Sequence, residues 1–525
     1  MEKARPPLAL SRGGIWLVKI YTQKGTDAAA RTAHPGGLLN WRLLYVLVNT
    51  AAAAAFPIAQ HLTRGLNAGV TGDAVFYLQG AIALADSLHY ATCNGTPVAG
   101  YPPLFSLLMA GLMKAGALPL TAALVIDSLS TALAVGSLGI VIARHVRSSA
   151  VFVSTLPMLA LAFPYHLNVN GLFSEVPFTA LQALLILLLD LALTRGRGYV
   201  LAAAIVAGAA TVTRYLGVVS VGLSGLVLLC RPLPLARRLF DAVLFGVVAS
   251  IPLAAFIVRN LAYKQLTGHD EKLLAPGHDF PASSLFDAFV EHVRLMSNWF
   301  VFLPQGSQPV RLALFLGGVG VLAAFALRSM STRDMVSVED RRALTLLVIC
   351  SIGYVVGVDA VVSLNDLPIL DRYIAPAILP LTACLILLID IALRPWPLAR
   401  AVTPIVAVVW FVLPLKNLAH LLLQESPIRT SAPVVRSSGL VSFLRGVAPE
   451  DLAGEREEDA NFVVLHLGRC VLTQQQRSGG RARYVVRTTS LGGTDMTMRS
   501  GGQQDGEVYA GPFGTVSTVP PTATR

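Results

Sequence analysis

The sequence predicts an all-α, polytopic membrane protein, and three observations carry that prediction. Hydrophobic residues make up 54% of the 525-residue chain against 14% charged. The mean hydropathy is +0.63. Apolar runs of about the 17–25 residues that span a bilayer recur from residue 43 to residue 423. The formal net charge of +11 is no nucleic-acid signature, because Lys and Arg fall in clusters between the apolar runs and form no continuous basic face. Clusters of that kind fix membrane topology instead.

Residues 1–42 are basic, with Lys3, Arg5, Arg12, Lys19, Lys24, Arg31 and Arg42, and the first apolar run starts too late for an ordinary cleaved signal peptide. A cytoplasmic segment ahead of an uncleaved signal anchor is expected. The expected spans are 43–61, 121–143, 150–165, 176–194, 200–213, 215–230, 239–259, 310–327, 343–363, 374–393 and 401–423. The run 102–118 is apolar as well. A full crossing there would put Arg144, His145 and Arg147 on the side opposite the N-terminal cluster, against the rule that short cytoplasmic loops carry the positive charge. If 102–118 only dips into the outer leaflet, every later basic cluster becomes cytoplasmic. The domain 43–424 is therefore expected to be a bundle of about 11 transmembrane helices plus one re-entrant or interfacial helix, N-terminus inside and C-terminus outside.

Residues 425–525 lose the long apolar runs, offer strand-like pieces such as "NFVVLHL" and "ARYVVRTT", and end in a Gly/Ser/Thr/Pro-rich tail. A small extracytoplasmic region is expected, with disorder beyond about residue 487. Cys93, Cys230, Cys350, Cys384 and Cys470 show no C-x-x-C pair and no framework spacing. Neither a metal nor a disulfide reading follows from them.

This topology gathers the unusual polar residues on the outer face. Asp73, Tyr77 and Tyr101 fall in the first outer loop, Glu175 in the second, Arg214 and Tyr215 at the next outer turn, and Arg372 and Tyr373 in "NDLPILDRYIAP". Each has a plain structural reading beside a chemical one. Asp73, in "TGDAVFYLQGA", stands where an acid suits a helix N-terminus. With Tyr77 one turn on and on the same face, it also reads as a general base at the membrane boundary. Tyr101-Pro102-Pro103 makes a stiff entry into an apolar helix. Lys114 beyond it reads as a snorkelling side chain or as a substrate ligand. Glu175 either caps the following span, with Pro177 in its first turn, or acts in a site. The two Arg-Tyr pairs are interfacial anchors or clamps for a lipid-linked phosphate. His269, Asp270, His278 and Asp279 have metal-ligating side chains without helical spacing. No metal site or other cofactor is assigned from them, and a divalent metal is left open.

In order along the chain, "GDAVFY", "YPPLFSLLMA", "FSEVPFTALQALLILLLDLAL", "TRYLGVV" and "DRYIAPAILPL" resemble the GT-C glycosyltransferases. They are most similar to the bacterial branch that includes protein O-mannosyltransferases and lipid A aminoarabinose transferases. The resemblance covers roughly residues 40–395. It implies a GT-C-like bundle with the catalytic acid on Asp73, the YPP turn on Tyr101 to Pro103 and the second-loop acid on Glu175. Many relatives carry an acidic pair where this chain has Asp73-Ala74, and an aspartate where it has Glu175. The resemblance further implies a sugar donor on a polyprenyl phosphate, and a lipid, glycan or protein acceptor, with membrane lipids around the bundle and no nucleic acid. The leaving phosphate is already a stable anion, so one base suffices, unlike the acid–base pair of glycoside hydrolysis. Asp73 would take the acceptor's proton in an inverting displacement. Arg214 and Arg372 would offset the phosphate charge, with Tyr77, Tyr101, Lys114, Tyr215 and Tyr373 lining the substrates. The alternative is a transporter or flippase of lipid-linked sugars, which would place ionisable groups at the midplane. In the sequence Asp190 and Asp390 fall near inner span ends, and the middle of the bundle is expected to be empty of charge.

Overall fold

The structure, a computed structural model, describes residues 35–64, 73–161, 174–265, 282–300, 307–331, 336–364 and 371–396, with short pieces at 403–404, 444, 446–447 and four strands beyond residue 450. The chain divides into two units, Met1–Leu44 and Tyr45–Arg525. The first supplies the opening turns of helix α1 (Pro35–Arg64), and the second holds everything that follows.

Helices α2 (Asp73–Ser87), α3 (Leu104–Lys114), α4 (Pro119–His145), α5 (Ser149–Thr155), α6 (Pro157–Ala160), α7 (Glu175–Arg195), α8 (Arg197–Thr211), α9 (Gly217–Leu229) and α10 (Leu235–Ala262) follow in chain order. After α11 (Ala282–Phe300) and α12 (Gln308–Ser331) comes an interrupted helix, α13 (Val338–Val348), a π turn (Ile349–Gly353) and α14 (Tyr354–Leu364). A single turn α15 (Asp371–Ile374) and a 3-10 turn (Ala375–Ala377) lead into α16 (Ile378–Leu393). The expected spans up to 374–393 fall on helices, except that 150–165 covers the two short helices α5 and α6 and its residues 162–165 lie outside the described residues, as does 401–423 apart from 403–404. Among the described residues, six helices are long and apolar enough to cross a membrane: Trp41–Ala59, Pro119–His145, Glu175–Arg195, Leu235–Ala262, Val338–Ser363 and Arg372–Leu393.

α4, α7 and α8 pack in sequence, and α8 packs on α10. A Cβ at Gly217 would lie 2.6 Å from the backbone of Ala210 and Thr211, so the tight α8–α9 turn requires glycine there. That turn carries Arg214 and Tyr215. α3 has 11 residues, a length of about 16 Å, half the hydrocarbon thickness of about 30 Å. Its Phe105 and Met109 share one apolar cluster with Tyr77, Leu78 and Ile82 of α2 and Leu120, Ala123 and Ile126 from the first turns of α4. α3 therefore packs on α2 and on the first turns of α4.

At the opposite end, α4, α7, α13 and α16 are tied by buried ion pairs. Asp190 receives Arg144 at 2.8 Å and His145 at 2.9 Å. Asp340 pairs with Arg394 at 2.7 Å and Arg147 at 3.1 Å. Asp390 accepts from the backbone N–H of Arg147 and Ser148 and from Arg394. α7 and α16 are thus fixed at one end by acids, while α7 begins with Glu175 and the α15 turn that leads into α16 carries Arg372.

Beyond residue 450, where strand-like pieces are expected, strands β1 (Leu452–Gly454), β2 (Tyr484–Thr488), β3 (Glu507–Gly511) and β4 (Gly514–Thr518) form a sheet in the order β1-β2-β4-β3, parallel only at β1/β2. β2 falls within "ARYVVRTT", and "NFVVLHL" lies outside the described residues. β3 and β4 stand in the tail expected to be disordered, where short alternating pieces pair although Gly, Ser and Thr dominate the composition. Cys93 is disulfide-bonded, while Cys230, Cys350 and Cys384 are free; a pairing in space leaves no trace in local spacing. Finally, the bundle interior is not empty of charge. Asp127, a third of the way along α4, is 3% exposed, and its Oδ1 has no hydrogen-bond partner among the described residues.

Candidate active site

Asp73 is the first residue of α2, where an acid meets the free N–H groups of the opening turn. Glu175 is the first residue of α7. Arg214 sits in the α8–α9 turn and Arg372 in α15. Four chain segments, far apart in sequence, therefore deliver two carboxylates and two guanidiniums to one place.

Arg372 is the hinge of the cluster. Its Nη1 lies 2.9 Å from Asp73 Oδ2 and its Nε 4.0 Å from Glu175 Oε1. Arg214 Nη1 lies 2.5 Å from the same Glu175 oxygen. The Glu175 side chain is 2% exposed and that of Arg214 11%, whereas Asp73 and Arg372 stand 22% and 28% exposed. The cluster thus has a buried rear pair and an open front pair. Formal charges cancel, so the site neither repels an anion nor binds one by net charge. Its unspent atoms are more telling: Glu175 Oε2 and Arg372 Nε are buried without a hydrogen-bond partner among the described residues. An unmatched acceptor beside an unmatched donor is costly in a folded protein unless another molecule supplies the partners.

Aromatic side chains frame the four charges. Tyr101 Oη donates to Asp73 Oδ1 at 3.2 Å. Burial and the Asp73 charge both raise the Tyr101 hydroxyl above its usual range, so it stays protonated and donates. Tyr101 stacks on Phe76 and meets Tyr77 edge-on, with centroids 4.6 and 5.5 Å apart. The Tyr373 ring lies under both guanidiniums, 5.4 Å from Arg372 and 5.9 Å from Arg214, close enough for cation–π attraction. Tyr354 Oη donates to the Tyr373 carbonyl at 3.2 Å.

The structure brings Asp73, Glu175, Tyr101, Arg214, Arg372 and Tyr373 together. Tyr77 shares the face of Asp73, but its hydroxyl is turned inward, accepting from Ser174 Oγ at 2.8 Å, and the residue is 3% exposed. Tyr215 Oη donates to the Ala99 carbonyl at 2.6 Å, behind the cluster. Lys114 is exposed at the far end of α3. Sequence reasoning missed Ser174. A serine before a helix beginning Glu-Val-Pro reads as a side-chain cap, yet Ser174 makes no side-chain cap bond. It accepts from Arg214 Nη1 at 3.2 Å instead and donates its own O–H to Tyr77 Oη.

Among the described residues no three His, Cys, Asp or Glu side chains gather as a metal site. His269, Asp270, His278 and Asp279 lie outside the described residues.

The fold is similar to two crystal structures of ArnT from Cupriavidus metallidurans. The apo state superposes with a TM-score of 0.51 at 17% identity, and the state bound to undecaprenyl phosphate with a TM-score of 0.53 at 16% identity. Each match covers 86% of this chain and 93% of the ArnT chain. No family model matches the sequence, and no curated relative matches it. The likeness is one of fold.

Proposed function

We propose that the protein is an integral membrane glycosyltransferase that moves a sugar from a polyprenyl-phosphate donor to a lipid, glycan or protein acceptor on the extracytoplasmic face. The observation that carries this reading is the four-charge cluster with an open front pair and an unmatched donor and acceptor behind it. The fold shared with ArnT, one of whose structures holds undecaprenyl phosphate, supports the donor class. In this reading Asp73, the more exposed acid, takes the proton of the incoming hydroxyl as the anomeric carbon is attacked from the face opposite the phosphate, which inverts that centre. Arg372 exchanges its contact with Asp73 for the donor phosphate, and that exchange frees the base. Glu175 holds Arg214 and Arg372 in place, and its free oxygen takes a sugar hydroxyl. α3 is the re-entrant or interfacial segment, a reading supported by its 11 residues, too few to cross the hydrocarbon core.

The domain reading follows: 1–42 cytoplasmic, 43–424 the transmembrane transferase domain, and 425–525 extracytoplasmic. The disulfide at Cys93 supports an oxidising compartment for the loop between α2 and α3.

The test is a transfer assay with purified protein and a panel of undecaprenyl-phosphate-linked sugars, followed by NMR of the product. An inverted anomeric linkage and released undecaprenyl phosphate are expected, whereas a retained configuration contradicts the single displacement. Asp127 and Asp359, both buried within helices of membrane-spanning length, give the transporter alternative its interior acids. Movement of labelled lipid-linked sugar across vesicles, with no transfer product and abolished by Asp127→Asn, would favour that alternative.

A further inference from the structure

Tyr101 reaches Asp73 from a loop, and the loop has its own fastening. Residues 88–103 join α2 to α3 with one isolated bridge, Ala91 to Pro97, and no sheet to absorb their carbonyls. Buried carbonyls need donors. Arg259, near the end of α10, supplies two of them: its Nη1 donates to the Val98 carbonyl at 2.8 Å and its Nη2 to the Tyr90 carbonyl. Tyr215 Oη covers the Ala99 carbonyl at 2.6 Å, and Tyr90 Oη the Tyr101 carbonyl at 2.9 Å.

The Arg259 guanidinium forms no ion pair among the described residues. Its charge is met by these carbonyls, by Asn260 Oδ1 at 2.9 Å, and by the faces of Tyr90, Phe256 and Tyr263 at 5.1–5.7 Å. The two arms of the loop, at Tyr90 and Val98, are thus clamped by one planar group, whose fork geometry a lysine lacks. Tyr90 in turn lies against α2 where a Cβ on Gly80 would come within 2.4 Å of its ring. The ring can seat there only because residue 80 is glycine.

From this geometry we propose that Arg259 and Tyr90 are positioning residues that set the height of Tyr101 over Asp73. They touch neither substrate. Arg259 fixes both arms of the loop, Tyr90 carries the constraint to the backbone of Tyr101, and the Tyr101 hydroxyl holds Asp73 Oδ1 in the orientation that faces the acceptor. The inference rests on the transferase reading above.

A double-mutant cycle in the transfer assay tests it, using an undecaprenyl-phosphate-linked sugar that the wild type transfers. Tyr101→Phe and Arg259→Ala should each lower kcat by about tenfold or more, since sub-ångström misplacement of a reacting group is that costly, with little change in KM for the donor. Both should shift the acid limb of the kcat/KM pH profile the same way, because each alters the hydrogen bond on one carboxylate. If Arg259 acts through Tyr101, the double variant is no worse than the worse single. Gly80→Ala, which leaves both side chains in place, should reproduce the kcat loss. Additive penalties, an unmoved pH profile or a silent Arg259→Ala overturn the brace while leaving the transferase reading standing. A wild type that transfers no sugar overturns both.

Discussion

The two ends of the bundle use the same chemistry to opposite effect. Carboxylates and arginines meet at both, and α7 serves both. At the end holding Asp190, Asp340 and Asp390, each acid has two or more protein partners, and nearly all of the side chains are buried. At the other end Asp73 and Arg372 remain partly open, and Glu175 and Arg372 each keep an atom without a hydrogen-bond partner. Asp190 Oδ2 and Arg144 Nε also lack a well-aligned hydrogen bond, but they face each other at 2.8 Å, whereas Glu175 Oε2 has no such counterpart among the described residues. A network closed on itself locks helices, and one with an atom left over can receive a ligand. The difference lies in what each side chain has left to give, not in residue type.

The comparison breaks most severely if the saturated end proves dispensable. Asp390→Ala leaves Arg394 buried with one partner fewer and strips the acceptor from two backbone N–H groups. A loss of about 3–5 kcal/mol is expected, seen as a steep fall in Tm and in folded yield from membranes. Transfer per folded molecule should stay near wild type, and an Asp390→Ala protein as stable as wild type would mean that the pairs do not lock the bundle.

Next in size is Arg372→Ala, at the open end. Removing a charged hydrogen-bond donor costs about 1.5–3 kcal/mol where it meets an ion, so affinity for undecaprenyl phosphate should fall roughly tenfold to a hundredfold. Turnover should fall with it, because a phosphate clamp acts on ground and transition states alike. Titration of the purified protein with undecaprenyl phosphate measures the first part, and unchanged affinity would remove Arg372 from the phosphate site.

Asp127→Asn should change transfer by no more than about twofold, since Asp127 belongs to neither cluster, and its effect on Tm should be neutral to stabilising once an unpaired buried acid is gone. A smaller effect still concerns the loop that carries Tyr101. In intact cells an impermeant maleimide should label Cys93 only after reduction. Labelling without reduction would show a free thiol there and remove that support for an outward-facing loop.

Much of this was legible in the sequence, and the boundary of legibility has a physical cause. Helices of 21–28 residues such as Glu175–Arg195 and Pro119–His145 are written in the hydropathy itself, because lipid leaves a spanning backbone few other options. Asp73, Tyr101, Glu175, Arg214, Arg372 and Tyr373 could be nominated because each stands where an apolar run begins or ends, and topology then puts them on one side. The inward turn of Tyr77 could not be read: position on a helix face says which way Cβ points, not which hydroxyl captures Oη. The roles of Ser174 and Arg259 were equally hidden, since both depend on which partners other chain segments bring within reach. Asp127 and Cys93 escaped for a related reason, as burial depth and disulfide pairing are properties of packing rather than of local sequence.

The central claim is that the open end is a reaction site with Asp73 as its base, and Asp73→Asn tests it most directly. Asparagine keeps the size of the side chain and most of its suitability for a helix N-terminus, at a stability cost of about 1 kcal/mol or less. Single-turnover transfer by folded protein, measured with donor saturating, should fall by at least about a hundredfold, with undecaprenyl phosphate still bound. Near-normal transfer by well-folded Asp73→Asn protein would contradict the account and leave Asp73 as a helix-terminal acid paired to Arg372.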